Sequence, residues 1–151
     1  MEGMAEEKIH TMTRTKIFQI IILVNALNNI VAGAALLIAP QSFYSFADFA
    51  PFNRHYLGDV GAFLLPLGVG LLAAVRNPDG HKNLIGVAAL GSLLHVTNHL
   101  YDDLVVERGA STHWLTNTLP LAIFGVALLI VYLDLIRHRL YNRPDGSPRS
   151  R

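Results

Sequence analysis

Six side chains in this sequence have residue types and spacings that could bind a cofactor. Four of them follow i, i+3, i+4 and i+7 and so share one face of a helix: His95, Asn98, His99 and Asp102. The other two, His55 and Asp59, are spaced i, i+4. Imidazole suits zinc, copper, iron or nickel, and a carboxylate can complete such a site or orient the imidazole. We therefore predict that all six are cofactor-binding, with a metal site formed by His95, His99 and Asp102.

Several kinds of chemistry are compatible with this set. It matches no complete motif such as His-Glu-x-x-His, and a His pair on neighbouring helices can also ligate haem. Quinone or proton chemistry is a further possibility, and so is a hydrogen-bond network that only ties helices together. The pattern identifies no catalytic residue and leaves open whether the protein is an enzyme.

The elements that must position these residues are membrane-spanning helices. The 151-residue chain is 52% hydrophobic and only 15% charged, against a globular norm of about a quarter. A bilayer core requires roughly 20 apolar helical residues, and four stretches qualify: 17–39, 57–75, 84–106 and 114–133. Because the connections are short, we predict an all-α polytopic membrane protein. Its architecture is an antiparallel four-helix bundle with a short interfacial segment between the first two helices.

Three segments follow from these spans. They are a cytoplasmic N-terminal segment at 1–16, a transmembrane domain at 17–136 and a basic cytoplasmic tail at 137–151, disordered from 142 onward. The first apolar run is too long for a signal peptide and is predicted to be a retained helix. Of the 12 Lys and Arg residues, all except Arg54 and Arg108 flank the spans on one side. The positive-inside rule therefore predicts cytoplasmic N- and C-termini in the plasma (inner) membrane.

This orientation places the six polar residues in the outer half of the bundle. Because ionisable side chains avoid lipid, His55 and Asp59 are expected to approach the His95–Asp102 face. The other helices carry further polar groups at similar depth: Asn25, Asn28 and Asn29, interpreted as packing, then Thr116, Asn117 and Pro120, with His113 a weaker candidate. Glycines in all four spans are predicted to serve helix packing.

The connection at 40–56 is rich in aromatic residues: Phe43, Tyr44, Phe46, Phe49, Phe52 and Tyr56. Such residues favour the membrane interface. The segment is predicted to be a helix at headgroup level, with the mouth of a lipid or quinone pocket as the alternative.

Composition also excludes several functions. With no cysteine the chain has no disulfide, thiolate metal site, iron–sulfur cluster or redox dithiol. A net charge of +1 gives no field for a polyanion, so nucleic acid is not an expected partner. The predicted partners are the lipid bilayer and either another membrane protein or a second copy of this chain.

Three short motifs resemble those of DoxX-like proteins of actinobacterial type, a group of small four-helix membrane proteins. The motifs are PFNRHYLGDVGAF at 51–63, LGVG at 67–70 and HVTNHLYD at 95–102. Some DoxX-type proteins are membrane components of quinone-linked sulfur oxidation, so the resemblance implies a redox setting. It carries over no catalytic residue.

The sequence thus favours an accessory component of a membrane redox or envelope system, with a His/Asp site for a metal, haem or quinone in the outer half of the bundle. A non-enzymatic scaffold or packing subunit is the second hypothesis. A small transporter is the third, and it is disfavoured because no Asp or Glu lies at the middle of a span.

Overall fold

The computed structural model describes residues 2–47, 52–106 and 114–141, and all regular secondary structure within them is helical. The tail at 142–151, predicted to be disordered, lies outside the described residues. Five α-helices and two π-helical segments follow one another: α1 (Glu2–Ile38), α2 (Pro40–Ala47), α3 (Arg54–Ala74), α4 (Lys82–Tyr101), π1 (Asp102–Val106), π2 (Trp114–Thr118) and α5 (Leu119–Tyr141).

Four of these helical stretches are long and apolar enough to cross a membrane, namely Met12–Ile38, Arg54–Ala74, Lys82–Val106 and Leu119–His138. The predicted four-helix membrane architecture is confirmed, and α2 is the short segment between the first two spans. The fourth span begins and ends about one turn later than predicted, because 114–118 forms π2. As a result Asp134 belongs to the last turns of this span.

Local sequence explains where the helices begin. Asn53 caps α3, since its side-chain oxygen accepts a hydrogen bond from the Tyr56 N–H at 3.1 Å. In the turn before α4, the Asn77 side chain accepts from the Gly80 N–H, also at 3.1 Å. Pro40 starts α2, where its missing N–H has no helical partner to lose.

Helices α1 and α3 form a closely packed hairpin through glycine. A Cβ atom built on Gly33 would lie 2.5 Å from the Leu65 backbone nitrogen, and one built on Gly68 would lie 2.7 Å from that of Ile30. Helices α4 and α5 form the second hairpin, in which a Cβ on Gly125 would lie 3.2 Å from the Ser92 Cβ. Small residues permit this close approach. The packing role predicted for the glycines is confirmed at these positions.

In the part of the chain that the structure describes, the two hairpins share a hydrophobic core at one end of the bundle. We call this the inner end; it carries the 75–81 turn between α3 and α4, and the outer end carries α2 and the π segments. The core draws on all four long helices: Phe18, Ile22, Ala26, Leu71, Ala74, Ile85, Ala88, Ala89, Leu128, Val131 and Leu135. In the outer half, buried residues such as Leu36, Leu57 and Val96 lie outside this cluster. The hairpins are therefore joined mainly through their inner halves.

Candidate functional site

Two imidazoles on α4 converge in the outer half of the bundle. The rings of His95 and His99 stack with their centroids 4.8 Å apart and their planes inclined by 25°. Their Nε2 atoms are 2.9 Å apart. At this distance the N–H of one imidazole can donate a hydrogen bond to the unprotonated Nε2 of the other. A metal ion bound at about 2.0–2.1 Å from each nitrogen would also fit, with an angle of about 90° between the two bonds.

The other two polar residues on this face interact with each other. The Asn98 side-chain amide donates to Asp102 Oδ2 at 3.3 Å. The structure thus brings together two of the three predicted metal ligands, His95 and His99, and directs the Asp102 carboxylate to an amide. Among the residues described, no group of three or more His, Cys, Asp or Glu side chains is close enough to hold a metal ion.

The pair on α3 lies at the outer end of that helix. His55 Nε2 is 3.5 Å from Asp59 Oδ2, and the two side chains are 91% and 61% exposed. Within the described part of the chain, no hydrogen bond or ion pair joins them to the α4 residues. The expected approach of His55 and Asp59 to α4 is therefore not made by direct contact.

Helical counting gives the relative heights of these two pairs. The reference point is the inner contact between the helices, where a Cβ on Gly70 would lie 3.0 Å from Leu84 Cδ2. Asp59 precedes Gly70 by 11 residues and His95 follows Leu84 by 11. Eleven residues make three helical turns plus about 20° and a rise of about 16.5 Å. Asp59 and His95 therefore lie at about the same height, close to the face between α3 and α4. His55 and His99, one turn further out, are rotated by about 60° from that face and fall on opposite sides of it.

We call the exposed surface of α3 and α4 at this height the outer groove. Its α3 side carries His55, Asp59 and Phe63, and its α4 side carries Gly91, His95 and Asn98. The ring of Phe63 is 77% exposed. A Cβ built on Gly91 would meet no atom within 4 Å. Among the described residues, Phe63 and the position beside Gly91 are thus not packed against another helix.

A further polar contact joins the outer ends of α4 and α5. The Thr118 hydroxyl, which is buried, donates to Asp103 Oδ2 at 2.8 Å. It connects π1 to π2, and π-helical turns are frequent at functional sites. Sequence reasoning placed neither residue in the site. A signal for Asp103 was present, because it lies 18 residues, or five full helical turns, after the buried Ile85 and so shares its face of α4. The predicted candidate His113 and the side chains of Thr116 and Asn117 lie outside the described residues.

An ion pair joins the two hairpins at the inner end. Arg14 Nε donates to Asp134 Oδ2 at 2.8 Å, and Arg14 Nη2 contacts the same oxygen. His138 Nε2 lies 3.8 Å from the other carboxylate oxygen, and the guanidinium lies 4.9 Å from the centre of the Phe18 ring. The sequence analysis treated Arg14 only as a flanking basic residue. Asp134 drew no attention because it followed the predicted fourth span.

Other predicted polar features have structural roles. Asn25 and Asn29 are buried, and their amides donate to the Ile21 and Asn25 carbonyls of their own helix at 3.0 and 2.8 Å. This favours the packing interpretation of the asparagine stripe. Its third member, Asn28, is exposed. In the aromatic connection, the Tyr44 and Phe52 rings meet edge to face at 5.2 Å.

Comparison with known proteins gives no relative from which a function could be transferred. No family model, curated protein or solved structure matches this chain.

Proposed function

We propose that this small integral membrane protein binds a transition-metal ion through His95 and His99, as an accessory component of a membrane redox or envelope system. The observation that carries the proposal is the 2.9 Å separation of the two Nε2 atoms, on a face of α4 where His95 is exposed and His99 is half-buried. Ionisable side chains within a span are costly in lipid and are usually functional.

The geometry favours a metal ion over the other two ligand classes. Two axial imidazoles of one haem lie on opposite sides of the iron, about 4 Å apart, if each iron–nitrogen bond is about 2.0 Å. Nitrogens 2.9 Å apart cannot adopt that arrangement. A quinone carbonyl oxygen accepts a hydrogen bond from the N–H of one imidazole and does not require two converging nitrogens. A chelated ion uses both, and when bound it would supply one-electron or Lewis-acid chemistry.

The location of the site follows from the proposed topology. The two termini and the 75–81 turn, which carry nearly all the basic flanking residues, are proposed to face the cytoplasm. The outer groove then opens toward the extracytoplasmic side of the plasma (inner) membrane. A ligand could reach it there without crossing the bilayer. The proposed redox or envelope role also agrees with the resemblance to DoxX-like proteins.

Metal analysis and an absorption spectrum of protein purified in mild detergent test this function. We expect wild-type protein to hold about one ion per site and the His95→Ala/His99→Ala variant to lose it. The matched control is His81→Ala/His138→Ala, which also removes two imidazoles but outside the groove. It should keep the ion.

Elution volume and helix content establish that each variant is folded. Wild-type protein without metal, or a His95→Ala/His99→Ala variant with wild-type metal content, would reject the proposal. The scaffold hypothesis would then replace it.

A further inference from the structure

The exposed face of α4 has a seven-residue repeat. Val87, Leu94 and Tyr101 are spaced by seven residues and are 64%, 62% and 58% exposed. Gly91 and Asn98, also seven apart and exposed, alternate with them at spacings of three and four. These spacings are those of the d and a positions of a coiled coil. We call these five residues the α4 seam; within the described part of the chain, no other helix covers it.

Asn98 is the polar side chain of this seam, and it lies within the third span. One N–H of its amide donates to Asp102 Oδ2 at 3.3 Å. Among the described residues, nothing accepts from the second N–H and nothing donates to Asn98 Oδ1. Polar groups without partners are costly in lipid. The amide therefore requires a partner that offers both a donor and an acceptor at the same depth in the membrane.

We infer that a second copy of this chain covers the α4 seam, with the two α4 helices packed in parallel about a twofold axis. Two copies with the same topology in one membrane place identical residues at the same depth, so each residue of the seam meets its own counterpart. A primary amide is complementary to itself: each Asn98 can donate to the other through the N–H that Asp102 does not occupy. In parallel coiled coils, Asn at a single a position specifies the register and the oligomeric state.

Gly91 is a second, independent observation that favours this contact. It occupies the a position one heptad before Asn98, about 10.5 Å further inward along the helix. A Cβ built on Gly91 would meet no atom within 4 Å, whereas one built on Gly33 or Gly68 would collide with a neighbouring helix. Packing within the chain therefore does not explain Gly91. A glycine on an exposed face allows the backbones of two membrane helices to approach closely.

Charge and exposure favour α4 over the other three long helices. On α3 the exposed carboxylate of Asp59 would face its own counterpart, and like charges repel. The exposed residues of α5 between Ile123 and Leu133 are all apolar, so lipid alone satisfies them. On α1 the exposed Asn28 has Ile21 one heptad before it, and Ile21 packs against the core of the same chain. The α4 seam is uncharged and exposed along its length.

Dimerisation of the metal-free full-length chain in phosphatidylcholine vesicles tests the interface. Energy transfer between two populations labelled through Arg151→Cys, measured over a range of protein-to-lipid ratios, gives the dissociation constant. We expect Asn98→Leu to weaken the dimer about 3- to 30-fold, the range given by hydrogen bonds between membrane helices. Asn98→Gln keeps a self-complementary amide and should retain most of the affinity. Gly91→Leu should weaken the dimer at least about fivefold, because it separates the two backbones.

Two matched controls make the same chemical changes on other helices. Asn28→Leu removes an exposed amide from α1, and Gly58→Leu fills an open glycine position on α3. Both variants should dimerise with the wild-type dissociation constant. Helix content measured by circular dichroism establishes that each variant is folded.

Cysteine cross-linking tests the parallel twofold arrangement, because the chain has no cysteine of its own. Leu94→Cys places a thiol on the α4 seam between Gly91 and Asn98, at equal depth in both copies. We expect oxidation to link two such chains through a disulfide. The control, Val126→Cys, places a thiol on the exposed face of α5 and should leave the chains unlinked.

Three results would overturn the inference. They are a wild-type chain that stays monomeric at every protein-to-lipid ratio, an Asn98→Leu variant that dimerises as the wild type does, and a dimer weakened by Asn28→Leu alone, which would place α1 at the interface. The proposed metal site is tested separately, because the vesicle experiment uses metal-free protein. A monomer that holds an ion would leave the proposed function intact, and a dimer that holds none would leave this inference intact.

Discussion

Replacing Gly33 by alanine should destabilise the α1–α3 hairpin. The new Cβ would lie 2.5 Å from the Leu65 backbone nitrogen and 2.9 Å from its Cα. Ordinary contact begins near 3.4 Å, so the helices must separate by nearly 1 Å. The obstructing atoms belong to the backbone, and no rotamer change can relieve the clash. Overpacking of this kind costs about 1–3 kcal/mol.

The matched control is Gly58→Ala in α3, where a Cβ meets nothing within 4 Å. Alanine is the better helix former, so this variant should be neutral or stabilised by up to about 1 kcal/mol. Reversible unfolding in mixed detergent micelles, followed by circular dichroism, measures the free energy of unfolding of both variants. Equal stability of Gly33→Ala and Gly58→Ala would refute the close backbone approach of α1 to α3.

Three further predictions concern the polar contacts and the topology. Thr118→Val should lower the free energy of unfolding by about 0.6–2 kcal/mol, because Asp103 loses its buried donor; the loss should vanish when Asp103 is already replaced by alanine, and an additive double variant would contradict the contact. A double-mutant cycle of Arg14→Ala and Asp134→Ala should give a coupling of about 1 kcal/mol, since both side chains are partly exposed; zero coupling would show that the pair does not join the hairpins. Reporter fusions should place the C-terminus in the cytoplasm and the 107–113 connection outside, and the reverse result would invert the proposed topology.

The spans could be predicted because apolar length and the cost of unpaired backbone groups in lipid determine them locally. The shared face of His95 and His99 could be predicted for a similar reason, since helical periodicity alone relates residues four apart. Their converging Nε2 atoms follow from that spacing. Glycine packing at Gly33 and Gly68 could also be anticipated, although the sequence does not show which helix each glycine faces.

Other features depend on how helices pack, which local patterns do not determine. Asp103 rather than Asp102 contacts α5, because Asp103 continues the buried face of α4 on which Ile85 lies. The Arg14–Asp134 pair joins residues 120 positions apart and required knowledge of which helix ends meet. Likewise, the sequence predicted that His55 and Asp59 would approach α4, but these two exposed side chains pair with each other, and the packing of the two hairpins decides what they can reach.

Because the shared core lies at the inner end, movement of one hairpin relative to the other costs less free energy than other motions of this fold. Each hairpin is held along its length, by Gly33 and Gly61 in the first and by Gly125 and the Asp103–Thr118 contact in the second. Between hairpins, the buried core and the Arg14–Asp134 pair of the described residues act at the inner end. Segments with few buried contacts across them open at the lowest free-energy cost. Separation of the two hairpins at the outer end is therefore the opening of lowest free-energy cost in this fold.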